Sequence, residues 1–264
     1  MKGMEYKDRS GDMNTLEQLI DETGWVFQQK MDGTRALVNL ETLQFSQRNG
    51  NPLKHSAATQ WISWLLQEMS DLGLSGMANT ILDCELMIGD GELYVFDVID
   101  PSNLVQPLFK RLERLEALPT GRTIQKVYTA WTPEEKRELW EACKRTEGIV
   151  AKDVFAPYEA GIRTDQVLKF KNIHTANMVV TKLSDSPKSA GLGVISGDGQ
   201  PATVAYASMI GKDQTLEVGD VVEVNYLSWT GVSLIQPRIV GRSQKDPMDC
   251  TFQQFKPYTK EALR

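Results

Sequence analysis

The sequence predicts an α+β protein of two domains, the first mixed and the second all-β, on three observations. Its 264 residues fit about two domains at roughly 150 residues each. Strand patterns and amphipathic helix patterns alternate up to about residue 172, in a chain that is 41% hydrophobic and 24% charged, an ordinary globular balance. From about His174 onward helix signals almost vanish and five strand patterns follow in about 90 residues, the density of a small barrel or sandwich. The boundary falls near residues 172–176, giving domains 1–173 and 174–264.

The elements follow in order. The first 22 residues are polar except for Leu16, Leu19 and Ile20, which mark a turn or two of amphipathic helix. Residues 25–31, 34–40 and 42–48 read as three strands separated by Asp32-Gly33 and Glu41-Thr42 turns. Ser56 to Leu72 is helical, with Ala57, Trp61, Trp64, Leu65 and Met69 at spacings of three and four. Residues 80–88 and 92–100 form a strand pair around Gly89-Asp90-Gly91. Pro107 to Leu118 is a second helix. Thr132-Pro133-Glu134-Glu135 opens a third with a threonine cap, a proline at the first position and a capping box. Residues 148–153 and 166–172 are strands, and the C-terminal five are 176–183, 192–197, 202–209, 220–227 and 233–240. Gly191-Leu192-Gly193 reads as a strand turn.

Composition excludes several classes. No apolar run reaches the roughly 20 residues of a membrane span, and the polar start, Met1 to Ser10, is no signal peptide. Cys84, Cys143 and Cys250 lie far apart and only two histidines exist, so a Cys/His zinc site is not expected and a cytoplasmic, reducing compartment is. His55 and His174 have no partner at catalytic or metal spacing and read as surface or linker residues. The net charge of −6 lies wholly in residues 1–172; residues 173–264 balance nine basic against nine acidic side chains. Screening over about 8 Å leaves room for a local basic groove on such a chain.

The segment with the clearest chemistry is Lys30-Met31-Asp32-Gly33-Thr34-Arg35, a lysine ending a strand, a tight Asp-Gly turn and an arginine entering the next strand. Further along stand Ser46-Gln47-Arg48-Asn49-Gly50, Leu82-Asp83-Cys84-Glu85-Leu86, Tyr94-Val95-Phe96-Asp97, Glu147-Gly148-Ile149-Val150-Ala151-Lys152 and Leu168-Lys169-Phe170-Lys171. In order and spacing the set resembles the covalent nucleotidyltransferases, which comprise ATP-dependent DNA ligases, RNA ligases and mRNA capping enzymes. One departure is Cys84, where the family carries glycine; a small residue is kept, and a reactive thiol is the poorer reading.

The chemistry suits these residue types. A neutral lysine amine can attack the α-phosphorus of ATP and hold AMP covalently. A free lysine titrates at about 10.4, so cationic neighbours are needed to lower it. The resemblance implies that Lys30 is the nucleophile, with Lys169 and Lys171 neutralising phosphate charge and Asp32 acting in later steps or orienting the turn. It implies nucleotide contacts from Gln28, Arg35, Arg48, Glu85, Phe96 and Val150. Arg48 and Glu85 would meet the ribose, Phe96 and Val150 the faces of the purine, and Gln28 the adenine amino group. Gln28, as an amide, can donate or accept and so discriminates bases less sharply than a carboxylate. Glu147, with Glu85, would ligate Mg2+ or Mn2+.

Gln236-Pro237-Arg238 through Arg242, Lys245 and Asp246, followed by Pro247 to Thr251, resembles the last motif of DNA ligases, with Lys-Asp in place of Asp-Lys. It points to Arg242 and Lys245 as further ATP contacts. The family fold is a nucleotidyltransferase (adenylation) domain of antiparallel sheets and flanking helices followed by an OB-fold barrel. The implied function is an ATP-dependent DNA ligase of the minimal viral or accessory bacterial kind. It would seal nicks in duplex DNA as a monomer, in replication, repair or recombination, with a hinge at 172–175. Only 29 residues precede Lys30, too few for the helical DNA-binding domain of cellular ligases. The alternatives are an RNA ligase, a capping-type enzyme, or a non-catalytic single-strand-binding OB protein.

Overall fold

The computed structural model describes residues 1–53, 56–87, 89–185, 188–209 and 215–256, with the backbone alone for 56–60 and 185. One compact unit comprises residues 1–144 and 148–170; the other comprises 145–147 and the described residues from Lys171 to Lys256. His55 lies outside the described residues. No helix among the described residues is long and apolar enough to cross a membrane.

The first unit carries β1 (Glu5–Asp8), α1 (Met13–Asp21), β2 (Trp25–Gln29), β3 (Thr34–Asn39), β4 (Gln44–Gln47), α2 (Ser56–Asp71), β5 (Ile81–Met87), β6 (Glu92–Ile99), α3 (Leu108–Glu116), β7 (Ile124–Lys126), β8 (Thr129–Ala130), α4 (Pro133–Cys143), β9 (Gly148–Asp153) and most of β10 (Arg163–Lys171). Two five-stranded sheets result, ordered β1-β10-β9-β2-β8 and β4-β3-β5-β6-β7. Strand alternation sorts their faces. Phe27, Ile149, Ala151, Leu168 and Phe170 turn outward into a core with Leu16, Leu19 and Ile20 of α1 and Leu139 and Cys143 of α4. Ala36, Val38, Leu82, Cys84 and Leu86 of the other sheet pack against Leu65 and Met69 of α2 and Leu108, Leu112 and Leu115 of α3. The inner faces meet over Leu37, Ile81, Ile99, Val150, Tyr158 and Val167. Helix α4 starts as its sequence dictates: the Thr132 side chain accepts from Glu135 N–H, and Glu135 accepts from Thr132 N–H. Buried Lys136 on α4 donates to the carbonyls of Leu19, Ile20 and Glu22 and so caps the end of α1.

The second unit holds β11 (His174–Asp185), β12 (Lys188–Ile195), β13 (Pro201–Ser208), β14 (Val221–Tyr226), the short pair β15 (Ser228–Trp229) and β16 (Leu234–Ile235), and β17 (Arg238–Arg242). Five of these form an antiparallel sheet ordered β13-β12-β11-β14-β17 around a core that includes Met178, Leu192, Val222, Val224 and Tyr226. Among the described residues the chain as a whole is α+β, its α-helices all lie in the first unit, and no ladder closes the five strands into a barrel.

Three readings of the sequence need correction. Residues 5–8 form a strand, parallel to β10, where only polar chain was expected. Residues 233–240 are divided between β16 and β17. Gly191-Leu192-Gly193 is not a turn but the middle of β12, beside a bulge. There a Cβ on Gly193 would lie 2.5 Å from Thr181 Cγ2 and 2.7 Å from the Ala202 carbonyl oxygen, so glycine marks a close strand approach.

Candidate active site

Lys30 stands at the end of β2, half-buried, and its backbone N–H donates to the Gly148 carbonyl at 2.9 Å. Gly148 has φ +130°, a backbone conformation that L side chains rarely adopt, so the Glu-Gly pair fixes where that carbonyl points. The turn then crosses from one sheet to the other. Gly33 is required because a Cβ there would lie 2.5 Å from the Leu86 carbonyl oxygen, and its N–H donates to Glu85 at 3.2 Å. Asp32, between them, is half-buried.

Gln28 and Lys152 share the inner face, because Gln28 pairs with Val150 and Val26 with Lys152 in the β2–β9 register. They converge on one carbonyl. Asp83 pairs with Asp97 and Cys84 with Val95, so Phe96 is the extra residue of a β-bulge. Its carbonyl accepts from Gln28 Nε2 at 3.3 Å and Lys152 Nζ at 3.1 Å. Gln28 Nε2 also donates to Thr129 Oγ1 at 2.9 Å. Both amide hydrogens are thereby used, and Gln28 Oε1 is left buried with no hydrogen-bond partner. The Phe96 carbonyl can only accept, so it fixes the amide orientation. Gln28 therefore presents only an acceptor, where the sequence alone left the amide free to donate or accept.

Lys152 is buried, with Nζ 4.7 Å from the Phe96 ring centroid. Burial pushes its ammonium down to about 8, aided by Arg35 and Arg111 and opposed by Asp97 and Asp83. Phe96 packs with Met31, Met87 and Val127, and Val150 with Leu37 and Tyr158.

Arg35 is heavily engaged. It grips Asp83 through two bonds of 2.8 and 2.6 Å, donates to the Met4 carbonyl at 2.7 Å and lies 4.6 Å from the Tyr6 ring centroid. Burial alone would lower its titration, but Asp83 reverses this and raises it. Tyr158 completes the network, donating to Asp83 at 2.6 Å and accepting from Met4 N–H at 3.0 Å. Arg48 is exposed next to Arg35: a Cβ on Gly3 would lie 3.3 Å from both Arg35 Cζ and Arg48 Cγ. Cys84 turns away from this group into the helix-covered core. Burial, then Asp83 and Glu85, push its thiol up, which makes it unreactive.

Lys169 pairs with Asp8 at 3.4 Å. In the second unit, buried Glu147 accepts from Lys171 at 3.0 Å. Arg242 pairs with Asp220 at 3.0 Å and donates to the Thr215 carbonyl at 2.6 Å, and Lys245 N–H donates to Ser243 Oγ at 3.3 Å. No group of three His, Cys, Asp or Glu side chains among the described residues could hold a metal unaided. Glu85 and Glu147 are nevertheless hard oxygen donors of the kind magnesium takes singly or in pairs alongside substrate phosphates.

Of the predicted residues, Gln28, Lys30, Asp32, Arg35, Arg48, Glu85, Phe96, Val150 and Lys169 lie in the first unit. Glu147, Lys171, Arg242 and Lys245 fall in the second. Sequence reasoning assigned nothing to Thr129, Lys152, Tyr158, Met4, Tyr6 or Asp8. Only Lys152 carried a signal, a charge inside an apolar strand.

A family model described as RNA ligase matches residues 23–171, more than half of the chain. The chain belongs to the RNA ligase family. Curated relatives of this family member include a probable DNA ligase of Anaeromyxobacter sp. (strain K), 39% identical over 97 residues, 36% of this chain and 17% of that protein. Another, from Dictyoglomus thermophilum, is 30% identical over 129 residues, 45% of this chain and 21% of that protein. These matches span about a fifth of each relative's length. Among solved structures, a Lig E DNA ligase aligns with a TM-score of 0.63 at 15% identity, covering 92% of this chain and 100% of that one. A mycobacterial DNA ligase D complexed with ATP and MES aligns at 0.55 and 18% identity, covering 95% and 97%. The family member thus shares its fold with DNA ligases, and the resemblance carried by the motifs holds.

Proposed function

We propose that the chain is an ATP-dependent DNA ligase that joins 5′-phosphate to 3′-hydroxyl ends at nicks in duplex DNA. The observation that carries the nucleotide assignment is Gln28 Oε1, a buried acceptor with no partner, two residues from Lys30. It matches the donor presented by an adenine amino group and opposes the carbonyl of guanine. DNA is favoured because the similar proteins reported above are DNA ligases and because Gln236 to Asp246, followed by Pro247 to Thr251, resembles the last motif of that group with Lys-Asp in reversed order.

In the first step Lys30 Nζ attacks the α-phosphorus. A P–N bond forms, the bond to the β-phosphate oxygen breaks, and pyrophosphate leaves. In the second, a 5′-phosphate oxygen of the nick attacks the same phosphorus, the P–N bond breaks and Lys30 regains its amine. In the third, the 3′-hydroxyl attacks the 5′-phosphorus, the phosphodiester forms and AMP leaves. Lys169 and Lys171 neutralise phosphate charge, Arg48 and Glu85 hold the ribose, and Phe96 and Val150 flank the purine. Arg35 acts as the pillar that orders this face. Asp32 serves the later steps or orients the turn. Glu85 and Glu147 are each proposed as a carboxylate ligand for a divalent cation, whose chemistry would be to offset the charge that develops on the phosphates. The residues 174–264 are assigned an OB-fold role, with Arg242 and Lys245 contributing to the first step, and the enzyme is assigned as a monomer.

The family model favours one second reading, a preference for RNA strands. Sealing is measured on nicked duplexes whose 3′-hydroxyl and 5′-phosphate strands are DNA or RNA. Sealing of the all-DNA nick with ATP and magnesium is expected. Sealing confined to RNA strands would overturn the DNA assignment.

A further inference from the structure

Strand β1 lies at the edge of its sheet, parallel to β10, and its register places Asp8 beside Lys169. The ladder is irregular between Tyr6 and Lys7; Tyr6 covers the Arg35 guanidinium and Asp8 Oδ2 stands 3.4 Å from Lys169 Nζ. Asp8 is also fixed in place. Its Oδ1 accepts from Ser10 N–H at 3.0 Å and Ser10 Oγ at 2.6 Å, and the Lys169 carbonyl accepts from Arg9 N–H at 3.0 Å. Burial would raise the Asp8 carboxyl, but the Ser10 bonds and Lys169 outweigh it and hold it low, so the group is a carboxylate at neutral pH.

We propose that Asp8 is a charge gate on Lys169: its carboxylate occupies the lysine that the triphosphate needs and must yield it when ATP enters. This rests on the reading of Lys169 given above. The geometry supports competition over simple support of the lysine. Lys169 is a quarter exposed and Asp8 half exposed, so an incoming phosphate can displace the carboxylate without unfolding β1, whose ladder to β10 is made by the backbone. Two anions sharing one ammonium repel, so the carboxylate weakens triphosphate binding. For a pair this open the coupling is that of a surface ion pair, worth at most about five-fold in affinity. A merely structural Asp8 would act the other way, because its loss would loosen Lys169 and raise the KM.

The test is self-adenylation kinetics of the full chain with ATP, comparing wild type, Asp8→Asn and Lys169→Ala at low salt and at 1 M salt. Asp8→Asn keeps the Ser10 contacts and removes the charge. Its KM for ATP should fall about two- to five-fold with kcat held within about two-fold. The gap should close at 1 M salt, where the screening length is about 3 Å. A KM unchanged or raised in Asp8→Asn, while Lys169→Ala still raises it, overturns the gate alone. A Lys169→Ala enzyme that labels with wild-type KM overturns the reading of Lys169 and the gate with it.

Discussion

Gln28 is where base selection can be worked out in numbers. Its Nε2 is committed to Phe96 and Thr129, leaving Oε1 as a buried acceptor without a partner, and in the proposed function the adenine is set against it. An adenine amino group satisfies that oxygen. Guanine sets a second acceptor against it and leaves both desolvated, at about 1–3 kcal/mol. Turning the amide over would not help guanine, since Oε1 would then face the Phe96 carbonyl. The expected preference for ATP over GTP is therefore about five- to 150-fold in the rate of covalent labelling at subsaturating nucleotide. Gln28→Met keeps the volume and removes the acceptor; the Phe96 carbonyl retains Lys152 as its donor. Its preference should fall to about two-fold, mainly through slower labelling by ATP. The assay is labelling with α-labelled ATP or GTP, read on a denaturing gel. Equal labelling of wild type by the two nucleotides, or full preference surviving in Gln28→Met, would refute the locked-amide argument.

Two further outcomes concern the network around the site. Tyr158→Phe strips a buried donor from Asp83 and leaves the Met4 N–H without its acceptor. It should cost about 2–4 kcal/mol in urea unfolding, and a loss under 1 kcal/mol would show that the network is slack. Lys152 titrates near 8 when folded, against about 10.4 when unfolded. The folded state therefore sheds its proton first, and this group adds stability as pH rises from about 8 to 10.4, by about 3 kcal/mol. The stability of wild type relative to Lys152→Met should move in favour of wild type by that amount between pH 7 and 10.5; a constant difference contradicts the buried charge.

What the sequence made legible was local. The helix at Thr132 carries its own cap chemistry, and the strand–turn–strand at Lys30 carries its own Asp-Gly signal, so both could be placed without a partner. β1 could not. Glu5 to Asp8 has no strand pattern of its own, and its order comes from a ladder to residues 163–169, far away in the chain. The short strands β7 and β8 likewise depend on their neighbours. The bulge that frees the Phe96 carbonyl exists only once β5 and β6 are in register, so the roles of Thr129 and Lys152 were invisible before folding. Gly191 and Gly193 misled for the opposite reason: glycine signals both turns and close strand approach, and only the neighbouring Thr181 and Ala202 decide which. The C-terminal part was legible as dense β-structure, but its fifth expected strand, 233–240, divides into β16 and β17, and a strand pattern cannot say whether sheet edges close.

The central claim is that Lys30 becomes covalently attached to AMP. Incubation of the purified chain with ATP and magnesium, followed by peptide mass spectrometry, tests it directly. The expected result is an adenylyl group on Lys30, labile to acid and stable to base. It should be lost in Lys30→Ala while the melting temperature stays within a few degrees, because a half-buried turn lysine contributes little to the core. Adenylylation at another residue, or labelling that persists in Lys30→Ala, would contradict the account.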